Sequence, residues 1–195
     1  MKHGPLIILS GPSGSGKSTL TERVLAEGGL PLHVAVSATT RPPRPGERDG
    51  VHYHFWTPER FQQEVEAGHF LEWADVHTHR YGTLRGEVDG YRARGMGVIL
   101  VIDVQGAASV RKQCPDNVSV FVRTSTWELL EHRLRGRRTE SAAEIAKRLD
   151  NARQELAREG EYDYVLINDD LEVAVRQFRD LIATQFARGP SCSTN

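Results

Sequence analysis

Residues 8–20 read ILSGPSGSGKSTL, with three glycines set between an apolar run and a run of helical spacing. Upstream, residues 5–10 (PLIILS) have the length and composition of a short buried strand. Downstream, residues 17–29 (KSTLTERVLAEGG) read as a helix closed by Gly28 and Gly29. Between them Gly11, Pro12, Ser13, Gly14, Ser15, Gly16, Lys17 and Ser18 complete the spacing G-x4-G-K-S, a Walker A loop in the strand–loop–helix setting that it requires. Glycines let a backbone wrap a phosphate chain with successive N–H groups pointing inward. The helix start, with Thr19 in its first turn, adds unsatisfied amides and partial positive charge. Lys17 has the reach for β and γ phosphates, and the Ser18 hydroxyl is a ligand for Mg²⁺. The bland alternative is a flexible turn that happens to precede a lysine, and the flanking strand and helix weigh against it. The run implies a nucleotide phosphate site.

Composition narrows the setting. A chain of 195 residues is the size of one domain. Its 25 Lys+Arg nearly balance 26 Asp+Glu, for a net charge of -1, which points neither to nucleic acid nor to a membrane surface. The longest purely aliphatic run, residues 98–102, falls far short of the ~20 residues that a spanning helix needs. Two cysteines, Cys114 and Cys192, without metal-ligand spacing suggest a reducing compartment, hence the cytoplasm.

Strands and helices alternate along the rest. Residues 33–40 (HVAVSATT) alternate like a strand, and residues 41–55 are a Pro/Gly-rich loop until VHYHF resumes alternation. Thr57 and Pro58 open a helix that Gly68 can end. FLEWADV and HRYGTL read as strands. Val98–Ile102, apolar on both faces, suits a central parallel strand covered by helices. VSVFVRT is another strand. Ser125 with Glu128, and Ser141 with Glu144, offer capping boxes for two helices, the second carrying Ile145, Leu149, Ala152 and Leu156 on one side. YDYVLINDD is a last strand and residues 171–187 a final amphipathic helix. A disordered tail is expected over 188–195. The alternation predicts a three-layer α/β fold with a mostly parallel sheet.

Other residues carry chemistry. Asp103 ends the Val98–Ile102 strand, where a Walker B carboxylate would meet a metal's water shell; it equally suits the start of a loop. Residues 103–106 (DVQG) also match a GTPase switch spacing, but no N-K-x-D motif accompanies them. Arg41 and Arg44 stand in a Pro-stiffened loop with Tyr53 nearby, a set suited to a second phosphate. Arg133, Arg135, Arg137 and Arg138 cluster downstream, where they also complement a helix C-terminus. Two arginine groups joined to one glycine loop make sense if one grips an acceptor phosphate and the other closes on the transferring group. The pairs His52/His54 and His77/His79 have metal-compatible spacing, though such pairs are more often half-exposed strand residues.

GPSGSGKSTL, SATTRPPRPGERDGVHYHF, FLEWADV with RYGT, IDVQGA, RLRGR and YDYVLINDDL occur in one order, and with them the chain resembles the guanylate kinase family over about residues 6–187. The resemblance implies a P-loop kinase core over 4–187 with two mobile inserts, a GMP-binding region near 37–90 and a lid near 130–155. It implies transfer of the ATP γ-phosphoryl group to GMP or dGMP with Mg²⁺, in purine metabolism, without nucleic-acid or membrane partners. By the same resemblance Arg41, Arg44, Tyr53 and Tyr81 hold the GMP phosphate, and Ser37 and Thr83 meet the guanine O6. Glu72 and Asp103 accept its N1–H and 2-amino protons. Arg133, Arg137 and Arg148, with Lys17 and Arg44, stabilise the transferring phosphoryl group, and Asn168 lies on the adenine side. Guanine does place two adjacent donors beside an acceptor, which a carboxylate matches. Two departures stand out: Val101 replaces an acidic residue common two positions before Asp103, and Arg138 follows the RGR run where glycine is common. A guanylate-kinase-like binding module would resemble the chain too, but such modules usually have a degraded ATP loop, and here the loop is intact. A kinase for another phosphorylated acceptor fits Glu72 and RYGT less well.

Overall fold

The computed structural model describes residues 3–76, 78–136 and 142–188. Strand β1 (Leu6–Ser10) is buried at every position, because it lies at the centre of a five-stranded sheet. Its companions are β2 (Leu32–Val34), β7 (Gly97–Val101), β8 (Asn117–Arg123) and β9 (Tyr164–Ile167), in the order β2-β7-β1-β8-β9, with every neighbouring pair parallel. Alternation along β1 sends Ile7 and Leu9 to one face, against Leu20 and Val24 of α1 (Lys17–Glu27) and Phe178 and Ile182 of α7 (Leu171–Arg188). Leu6 and Ile8 go to the other face, against Val88 of α3 (Gly86–Ala93) and Ala107 and Val110 of α4 (Val104–Gln113). This is the three-layer α/β fold expected of strands that are apolar on both faces.

A smaller, mixed sheet sits beside it, in the order β4-β3-β6-β5. It is formed by β3 (Ala38–Thr39), β4 (His54–Phe55), β5 (Phe70–Val76) and β6 (His79–Leu84). Its core is Ala38 and Phe70 with Phe61 of α2 (Pro58–Glu66), a helix capped by the Thr57 hydroxyl as its sequence indicates. Helices α5 (Trp127–Arg135) and α6 (Ala142–Leu156) pack together through Leu130 and Leu134 against Ala152, Leu149 and Leu156.

Four expectations change. Residues 33–40 are two strands in two different sheets, since the chain leaves β2 at Val34 and enters β3 at Ala38. Alternation alone cannot reveal such a transfer. The α5 cap is Thr126, whose hydroxyl accepts the Leu129 amide, while the Ser125 amide donates to Asp169. Helix α4 was not expected; Asp103 is its N-cap and accepts the Gln105 and Gly106 amides at 2.7 and 2.8 Å. Arg188 still belongs to α7; residues 189–195, Arg137, Arg138 and Ser141 lie outside the described residues. Among the described residues no helix is long and apolar enough to cross a membrane.

Candidate active site

Strands β1 and β7 are neighbours, so the loop after one and Asp103 after the other open at the same sheet edge, the usual ligand crevice of such folds. Gly16, with φ +89°, turns the loop into α1, and no side chain caps that helix. Its first amides remain as donors for an anion. Lys17 folds back over the loop, its Nζ donating to Gly11 O at 2.5 Å and Pro12 O at 3.1 Å. Ser18 and Thr19 are exposed at the helix start.

Asn168, expected on the adenine side, also supports the loop from beneath. Its side chain is buried beneath the loop, and Nδ2 donates to Ser15 O at 2.8 Å. A Cβ on Gly16 would lie 2.4 Å from that nitrogen, so the glycine makes room for the prop.

The small sheet forms the opposite wall. Glu72 on β5 is buried and accepts the Thr83 hydroxyl proton of β6 at 2.7 Å, while Ser37 Oγ lies 3.4 Å from Thr83 Oγ1. Burial pushes the Glu72 pKa up to about 7; the Asp103 charge acts in the same direction and the Thr83 hydrogen bond against it. Tyr53 and Tyr81 meet edge to face, ring centroids 5.9 Å apart, and burial raises the Tyr53 pKa. Arg44 lines the cleft beside them. Arg41 is held by Glu47 through two hydrogen bonds of 2.9 and 3.0 Å. Burial opposes its charge, but Glu47 and Tyr81 keep its pKa above the ordinary value.

Both walls belong to one cleft of about 700 Å³, lined by Lys17 and Ser18 on one side and Ser37, Arg44 and Glu72 on the other. Of the two described arginines expected to stabilise the transferring group, Arg133 and Arg148, Arg148 on α6 reaches it, with Nη1 3.4 Å from Ser13 Oγ. Arg133 turns elsewhere and donates to Asn168 O and Asp169 O at 2.8 and 3.1 Å. Sequence reading passed over Glu155, which also lines the cleft. The signal was present: Arg148, Asn151 and Glu155 recur at helical spacing beside the apolar stripe Leu149, Ala152 and Leu156. His52 accepts the Arg48 amide and His54 faces Glu87, so the described histidines of the candidate pairs do not converge.

A sequence model described as guanylate kinase matches residues 3–185. The guanylate kinase of Syntrophotalea carbinolica is 44% identical over 187 residues, 96% of this chain and 89% of its own length. That of Mycobacterium tuberculosis is 48% identical over 181 residues, 92% and 86% of the two chains. The crystal structure of guanylate kinase from Anaplasma phagocytophilum superposes with a TM-score of 0.79 at 28% identity, covering 94% of this chain and 87% of that one. Sequence and fold agree, and the chain belongs to the guanylate kinase family.

Proposed function

We propose that the cleft binds ATP on the glycine loop and GMP, or dGMP, on the small sheet, and transfers the γ-phosphoryl group between them to give ADP and GDP. The observation that carries this reading is the buried Glu72–Thr83 pair in the same cleft as Lys17. A carboxylate offers two acceptors to the adjacent N1–H and 2-amino donors of guanine; the Ser37 hydroxyl is at hand for O6, and that of Thr83 once its proton turns from Glu72. Asp103 has one oxygen occupied by the α4 amides, so it assists with the other.

The attacking phosphate oxygen of GMP is already anionic. The chemistry therefore needs alignment and charge neutralisation more than a strong base. Arg44, Arg41, Tyr53 and Tyr81 orient the acceptor phosphate. Lys17 leaves the Gly11 and Pro12 carbonyls for the β and γ phosphates, with the backbone of Gly11–Thr19 around them. Arg148 supplies positive charge to the transferring group from the lid, taken as about residues 130–155. Arg137 completes that clamp, and Arg133 joins it by exchanging the Asn168 and Asp169 carbonyls for phosphate.

Mg²⁺ suits the hard oxygen donors here, the Ser18 hydroxyl and, through water, Asp103. Among the described residues no group of three or more His, Cys, Asp or Glu is placed to hold a metal. Most ligands of such an ion then come from phosphates and water, as Mg²⁺ prefers. When bound it neutralises phosphate charge. The two cysteines without ligand or disulfide spacing support a cytoplasmic setting.

The test is coupled ADP release from ATP with GMP, AMP, UMP, CMP and dTMP offered in parallel. GMP should exceed each of the others by on the order of 10⁴-fold in kcat/KM, as sites built on buried polar pairs allow. Comparable rates with AMP would overturn the base assignment.

A further inference from the structure

The chain passes from the main sheet to the small one at a single residue. The Ala35 N–H still donates to Ile99 O of β7 at 3.0 Å, while Ser37 O already accepts the His54 N–H of β4 at 2.9 Å. Val36 stands between these two attachments, and its N–H donates to Glu87 Oε2 at 3.3 Å. Glu87 lies in the first turn of α3, directly after the chain has returned from β6. Helix α3 is in turn anchored on the main sheet through Val88. The same carboxylate meets one more group from each sheet. His33 Nε2 of β2 donates to Oε2 at 2.9 Å, and His54 Nε2 of β4 lies 4.0 Å from Oε1. Stacking on Tyr91 of α3 fixes the His33 ring for this, with centroids 3.5 Å apart and planes inclined by 7°. Exposed ion pairs contribute little. This carboxylate is partly buried, and it holds a backbone amide as well as an imidazole.

We propose that Glu87 is a positioning residue for the base: by fixing the Val36 amide against α3 it sets the small sheet relative to the main one and aims the adjoining Ser37 hydroxyl at the guanine O6. This rests on the reading of the small sheet as the GMP wall, and it adds a residue that does not itself line the cleft. Without the Glu87 oxygens the crossing is free to turn at Val36, and Ser37 turns with it. Groups that read a base act only when held in register, so a displaced hydroxyl weakens GMP binding. The glycine loop follows β1 and is not tied to this carboxylate, so the ATP side stays as it is.

Steady-state kinetics of GMP-dependent ADP release test this on the wild type, Glu87→Gln and Glu87→Ala. Gln keeps an oxygen for the Val36 N–H and for His33; Ala keeps none. KM for GMP should rise about 5- to 20-fold in Glu87→Ala and at most about 2-fold in Glu87→Gln. In both, kcat at saturating GMP and KM for ATP should stay within about 2-fold of wild type, which general loosening of the fold would not reproduce. Ser37→Ala gives a second readout. In that background Glu87→Ala should cost about 2-fold or less, because the hydroxyl that it aims is gone. An unchanged KM for GMP in Glu87→Ala overturns the proposal, as does an equal rise in KM for ATP. A Gln variant as impaired as Ala, or full additivity with Ser37→Ala, overturns it too. Should Glu87→Ala fail to fold, Glu87→Asp decides, since it withdraws the oxygens by one methylene: a raised KM for GMP supports the proposal and an unchanged one removes it. A wild type without GMP-dependent turnover overturns the reading of the GMP wall itself, and this proposal with it.

Discussion

Glu72 carries a charge whose cost the empty protein bears. Its ordinary pKa of 4.5 is raised to about 7 by burial, so near neutrality it is partly protonated. Only the carboxylate presents two acceptors to guanine. Below about pH 7, kcat/KM for GMP should therefore fall, approaching tenfold per pH unit, and Glu72→Gln should abolish that dependence. A pH–rate profile that stays flat between 7 and 5.5 would refute the base-reading role. Stability follows with the opposite sense. The folded chain holds the proton more tightly than the unfolded one, so this group's contribution is full below pH 4.5 and is lost as pH rises through 7. The loss is at most about 3 kcal/mol, read as a lower melting temperature at pH 8 than at pH 5 that Glu72→Gln diminishes.

Helix α4 holds Glu72 in place. Gly106, in its first turn, is so close that a Cβ there would stand 2.6 Å from Glu72 Oε2. Gly106→Ala must push the carboxylate off the guanine donors, and a misplacement of that size costs about 10- to 100-fold in kcat/KM for GMP. ATP affinity should be unaffected, since the loop follows β1; nucleotide titrations of the variant check both halves. Sequence showed Gly106 only as part of a DVQG run and did not announce the helix around it. By contrast, β1, its loop and α1 were legible because their signals are local: apolar run, glycine spacing, helix caps. The division of residues 33–40 between two sheets, the Asn168 prop and the α6 contact at Ser13 were not, because each depends on segments far apart in the chain. Arg133 was placed by its motif, yet its guanidinium is turned to the β9–α7 carbonyls, and only packing reveals that.

The two walls of the cleft belong to different sheets, so in the proposed reading each substrate has its own wall and the site is complete only with both. Closure driven by two occupants would keep water from the γ-phosphoryl group. ATP alone should give ADP at least about 100-fold more slowly than ATP with GMP. Similar ADP release in both assays would mean that water reaches the site as readily as GMP does, and the chain would act as an ATPase.

The bond between Asn168 and Ser15 spans 153 positions, and this has a consequence for how the protein is born. The glycine loop leaves the ribosome before its prop, which is made roughly 10–30 s later at ordinary rates of translation. Phe178 and Ile182, which cover β1 on one face, come later still. Until then the nascent chain carries a loop without support over a strand without a roof. The supported and covered loop can form only after the chain has been made through Ile182.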